Sequence, residues 1–126
     1  MSEKKENKTR ERSVLCGANA YEEKYYFNEE YANLPQAIKD ELHILCVLYT
    51  EEVGGVFLVV FEPDGGISLD IQSAEDDYYY DEVSAGLLLG KVRQKRRELF
   101  ESLSLYYRTL ILGETLEEGE KNVTDG

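Results

Sequence analysis

Residues 35–55 read PQAIKDELHILCVLYTEEVGG, and the architecture turns on whether this stretch is a helix or a strand with a loop after it. Taken alone, HILCVLYT (43–50) is apolar enough for a buried strand, with EEVGG as its turn. The residues before it favour a helix. Ile38, Leu42, Leu45, Cys46 and Tyr49 recur at three- and four-residue spacing, and PQAIKDEL carries the same face without a break. Ile44, Val47 and Leu48 widen the apolar side, which predicts a central helix. Asn33-Leu34-Pro35 opens it, because the N–H that proline lacks has no intrahelical partner in a first turn. Gly54-Gly55 supplies the stop.

Working outward, VFLVVFE (56–62) and ISLDIQ (67–72) flank Pro63-Asp64-Gly65-Gly66, a strong hairpin signal. Ile67, Leu69 and Ile71 alternate with polar residues, so the second strand is wet on one face, whereas the first reads as interior. Upstream, KYYFN (24–28) is a good strand candidate. SVLCGANA (13–20) is a weaker one, because Gly17 and Asn19 lower its strand propensity. Downstream, Ala85, Leu88, Leu89, Val92, Leu99, Leu103, Tyr106 and Leu110 predict a long helix over about 81–112, with a bend or a departure from the core near Lys95-Arg96. Gly86 and Gly90 fall on one face of it, where they permit close packing on a neighbouring element. The expected fold class is α+β: two layers, a small antiparallel sheet around the central hairpin 56–72, covered by two helices of which the C-terminal one is long.

The chain has 126 residues, enough for one domain, expected over 14–113 between charged, disordered tails at 1–13 and 114–126. No apolar run reaches the ~20 residues of a membrane span, and no apolar stretch follows the N-terminal charges. A cytoplasmic protein is therefore expected, with no membrane partner, and Cys16 and Cys46 as free thiols. The net charge is −12, and residues 40–90 hold twelve acids and no Lys or Arg. Such a surface repels phosphate backbones, so no nucleic-acid partner is expected.

AEDDYYYDE (74–82) is the densest candidate site. Acids beside a helix start satisfy its free N–H groups, so Asp77 or Asp81 is expected to cap the helix while one or two tyrosines cover the sheet edge. Alternatively Asp76, Asp77, Tyr78, Tyr79 and Tyr80 form a partner-binding patch, since clustered tyrosine is efficient contact surface. Tyrosines stand where a Ca²⁺ loop needs oxygens and a turn glycine, so no metal site is expected here. KVRQKRR (91–97) sets Lys91, Arg93, Lys95, Arg96 and Arg97 over about two helical turns. Its charges either pair with nearby acids or contact an acidic partner, which a second copy of the chain would supply.

His43, Cys46 and Cys16 are too few for zinc, and Cys46 looks buried. The sequence thus assigns no catalytic residue and no cofactor. It favours a non-enzymatic interaction module whose partner is another protein or a second copy, as a homodimer. The alternatives are an acidic inhibitor or immunity-type protein meeting a cationic partner, and an enzyme using carboxylates such as Asp70, Glu75 and Asp77.

LCGANAYEEKYYFN, LPQAIKDELHILCVLYTEEVGGVF, DEVSAGLLLGKV and ELFESLSLYYRTLILGE together resemble a small uncharacterised family, a domain of unknown function in anaerobic Firmicutes. The resemblance covers residues 14–115. It implies a stand-alone cytoplasmic protein and brings no activity and no functional residue with it.

Overall fold

The computed structural model describes residues 11–113. The tails expected to be disordered lie outside them, apart from the residues at their inner ends. Four strands form one antiparallel sheet: β1 (Ser13–Asn19), β2 (Lys24–Phe27), β3 (Val56–Phe61) and β4 (Ile67–Gln72), in the order β2-β1-β3-β4. Helices α1 (Gln36–Val53), α2 (Glu82–Lys95) and α3 (Arg97–Tyr106) complete the domain, with a 3-10 turn at Glu29–Tyr31 and a π-helical turn at Tyr107–Ile111. The fold is α+β, and the disputed stretch is helix from Gln36 to Val53.

One face of the sheet carries the core. Alternation along β3 turns Phe57, Val59 and Phe61 toward the helices, where Tyr49 of α1 stacks on Phe57 at 4.4 Å and Tyr107 stacks on Phe61 at 4.4 Å. Leu42, Leu45 and Cys46 from α1 and Leu99, Phe100 and Leu103 from α3 fill the space between. Each such side chain, taken fully out of water, contributes ~1.5–3 kcal/mol. Among the described residues no helix packs on the opposite face. There Arg12 pairs with Glu62 and Asp70, at 2.9 and 3.1 Å, and ties the start of β1 across the sheet.

Two expectations need correction. β1 is no marginal addition but lies inside the sheet, between β2 and β3. Its Gly17 is there because Leu58 crosses it: a Cβ would stand 2.4 Å from Leu58 Cδ2 and 2.7 Å from the Phe57 carbonyl. A bulge between Val14 and Cys16 lets Leu15 and Cys16 both point inward, and the Leu15 carbonyl accepts from Asn28 N–H instead (2.8 Å). Second, the C-terminal helix is not one unit over 81–112: the bend expected near Lys95-Arg96 is a full break. It breaks at Arg96 (φ −107°, ψ 27°), the residue that ends α2 and begins α3. Neither Pro nor Gly causes this break. Arg96 reaches back to Glu41 on α1 at 2.8 Å, while α3 turns Leu99, Phe100 and Leu103 onto the core.

Candidate partner-binding site

The acid and tyrosine stretch between β4 and α2 is pinned from several sides. The Asp77 carboxylate accepts from the Tyr21 hydroxyl (2.6 Å) and from the Tyr79 backbone N–H (3.1 Å). Tyr21 in turn accepts from Ala74 N–H (3.0 Å), so the turn after β1 clasps the loop. Asp81 is the cap of α2: it accepts from Val83 N–H, Ser84 N–H and the Ser84 hydroxyl, at 3.0, 3.3 and 2.8 Å. Those bonds, the Ser84 hydroxyl's first, hold its carboxyl below its ordinary value.

The three tyrosines are not equivalent. Tyr80 lays its ring over Gly55, whose φ of +74° no L side chain adopts comfortably. A Cβ at Gly55 would stand 2.8 Å from Tyr80 Cε1 and 2.5 Å from the Gln72 carbonyl, so the contact needs glycine. Burial, and then the neighbouring Tyr21, Glu82 and Asp77, push the Tyr80 phenol up. Tyr78 and Tyr79, by contrast, are 88% and 97% exposed. Asp76 is exposed beside them and Asp77 is half-buried. The arrangement is a rigid loop with two aromatic rings standing in solvent among carboxylates.

The basic run does not join this loop. The 14 residues of α2 span ~20 Å, which puts acids at its N-terminus and bases at its C-terminus, as the helix dipole favours. The run itself divides at Arg96. Arg93 and Arg97 line an open cleft of about 590 Å³ with Gln94, Glu101, Phe100 and Ile67. Lys91, Lys95 and Arg96 instead face α1 across a smaller groove.

The single histidine and the two thiols also part company. His43 is exposed and stacks on Tyr25, ring centroids 4.1 Å apart, beside a cleft of about 510 Å³ that also takes in Asn19, Lys24, Thr50 and Glu51. Cys16 and Cys46 are fully buried, with their sulfurs 3.8 Å apart. The contact with Cys16, and burial, push the Cys46 thiol up, the opposite of activation. The Tyr25 hydroxyl is buried beside Cys16 without hydrogen-bond geometry; burial first, then Cys16, pushes its phenol up.

Among the described residues no three His, Cys, Asp or Glu side chains converge as a metal ion requires. Asp70 is engaged by Arg12 and Asp77 by Tyr21, so these carboxylates are not gathered around one free space. Sequence reasoning missed Tyr21. It lies 56 residues from Asp77, and nothing in its neighbourhood marks it as the clasp.

The chain belongs to a family of unknown function, DUF6145, whose family model matches residues 12–115. No curated protein and no solved structure matches it.

Proposed function

We propose that this member of a family without assigned activity is a non-enzymatic protein-interaction module, which offers Tyr78 and Tyr79 to a cationic segment of a protein partner. One observation carries this: the two rings are 88% and 97% exposed on a loop that Asp77, Tyr21 and Tyr80 hold in place. Exposed tyrosines on a fixed backbone lose little conformational freedom on binding, so contact area converts efficiently into affinity. The surrounding Glu75, Asp76 and Glu82 and the net charge of −12 select for Arg or Lys, which also stack on the rings and associate faster with an acidic surface. The same charge supports the narrower role of an acidic inhibitor or immunity-type protein. We place the module in the cytoplasm. The two reduced thiols in contact suit a reducing compartment, and no helix among the described residues is long and apolar enough to cross a membrane.

A photo-crosslinking phenylalanine at position 79, used in cells, tests the proposal. We expect one discrete protein adduct, reduced at least ~10-fold by Tyr78→Ala, since truncating a central aromatic anchor has an effect of that order. An adduct no stronger than that from the same probe at Tyr26, an exposed tyrosine on the open sheet face, would discard it.

A further inference from the structure

A second surface, independent of the tyrosine loop, runs along the seam between α1 and α2. Its floor is a groove of about 180 Å³ lined by Leu45, Tyr49, Leu88 and Val92. Leu48 of α1 lines it and is 54% exposed; Ile44, one helical turn before Leu48, is also 54% exposed, and Leu87 of α2 is exposed at 66%. The core does not use these side chains, and α1 would fold against the sheet without them. Three large aliphatic residues in water on the two helices that form this seam are the mark of a covered surface.

The charges flanking the seam identify the cover. On the α1 side stands Glu52; on the α2 side stand Lys91 and Lys95. Among the described residues, Arg96–Glu41 is the ion pair that bridges the two helices, and these three charges enter none. We infer that the α1–α2 seam is the two-fold interface of a homodimer. A surface with an apolar centre, acidic on one side and basic on the other, is its own complement. A two-fold axis through the groove brings Glu52 of α1 in one copy onto the lysines of α2 in the other, twice. A foreign partner would have to reproduce that pattern; a second copy has it by symmetry. Leu48 fills the centre, and the paired charges form the rim that fixes register and excludes the wrong orientation.

Sedimentation equilibrium on the full chain tests this. We expect a species of twice the 14.5 kDa chain mass, populated at micromolar concentration. Leu48→Glu should raise its dissociation constant by ~30-fold or more with unchanged far-UV circular dichroism, because a carboxylate would be forced into the interface centre from a site exposed in the monomer. The charge swap Lys91→Glu with Lys95→Glu, and separately Glu52→Lys, should each favour the monomer. Mixed together, the two swapped chains should recover the dimer as a heterodimer, since each then offers what the other lacks. A chain that stays at 14.5 kDa up to its solubility limit overturns the inference. So does a dimer indifferent to Leu48→Glu, or two swapped chains that fail to rescue each other.

Discussion

Helices α1 and α2 lie side by side and are built on opposite plans. α1 buries Leu42, Leu45, Cys46, Tyr49 and Thr50 and has no side-chain cap at its start. α2 buries only Ala85 and Val92 and carries two glycines, but its first turn is closed by Asp81. Its other ties are the Tyr49 hydroxyl on the Ala85 carbonyl (2.7 Å) and the Arg96–Glu41 ion pair at its far end. One helix is held by burial along its length, the other by a few polar contacts. Helices of the second kind open at lower free energy than the global unfolding, and they leave more of their surface for partners.

The largest test of that difference is truncation. Leu42→Ala, at a fully buried site in α1, should cost ~3–5 kcal/mol in denaturant unfolding, from lost transfer energy and the cavity left behind. Val83→Ala on α2, where the side chain is exposed, should stay within ~0.5 kcal/mol. Comparable costs at the two sites would erase the distinction.

Tyr49→Phe acts on the tie between the helices. Losing the bond to the Ala85 carbonyl should cost ~1–2 kcal/mol, and hydrogen exchange should show α2 amides losing protection while α1 keeps its own. The phenol also gives a pH signature. Burial, with Tyr80 nearby, pushes it up to about 12 from its ordinary 10.0. The folded state therefore holds the proton more tightly than the unfolded chain. Its contribution is complete below pH 10.0 and is lost as pH rises toward about 12. Unfolding midpoints across this window should fall less steeply for Tyr49→Phe than for the wild-type chain.

The smallest effect has the opposite sign. A Cβ at Gly86 or Gly90 meets nothing within 4 Å, so Gly86→Ala and Gly90→Ala should each stabilise α2 by ~0.5–1 kcal/mol, read as a rise in thermal midpoint. A fall instead would place another surface against that face.

What the sequence disclosed followed from local chemistry. The apolar period over 38–49 is long enough to outvote a strand, and PDGG announces the hairpin. Asp81 was legible as a cap because capping is a contact across two or three residues. Contacts set by tertiary packing stayed hidden. Gly17 weakens β1 as an isolated strand, and only the register with β3 shows that Leu58 needs the space. The break at Arg96 was legible as an interruption of the apolar stripe near Lys95-Arg96, but its extent was not, since it is set by packing α3 on the core. The sequence expects one or two of Tyr78–Tyr80 to be covered without saying which; the approach of Tyr80 to Gly55 and of Tyr21 to Asp77 divides the triplet into an anchor and two presented rings.

The sheet order β2-β1-β3-β4 leaves two edges, and both are short: four residues in β2 and six in β4. β2 carries an exposed Lys24 at its margin, and β4 carries Asp70, fixed by Arg12. Brief, charged margins make a poor template for a foreign backbone, which needs a long flat row of unpaired N–H and C=O groups. Growth by strand addition is thereby discouraged at both ends. The chain can therefore offer aliphatic and aromatic side chains on its helices and loop to a partner without also offering its sheet edges to cross-β growth.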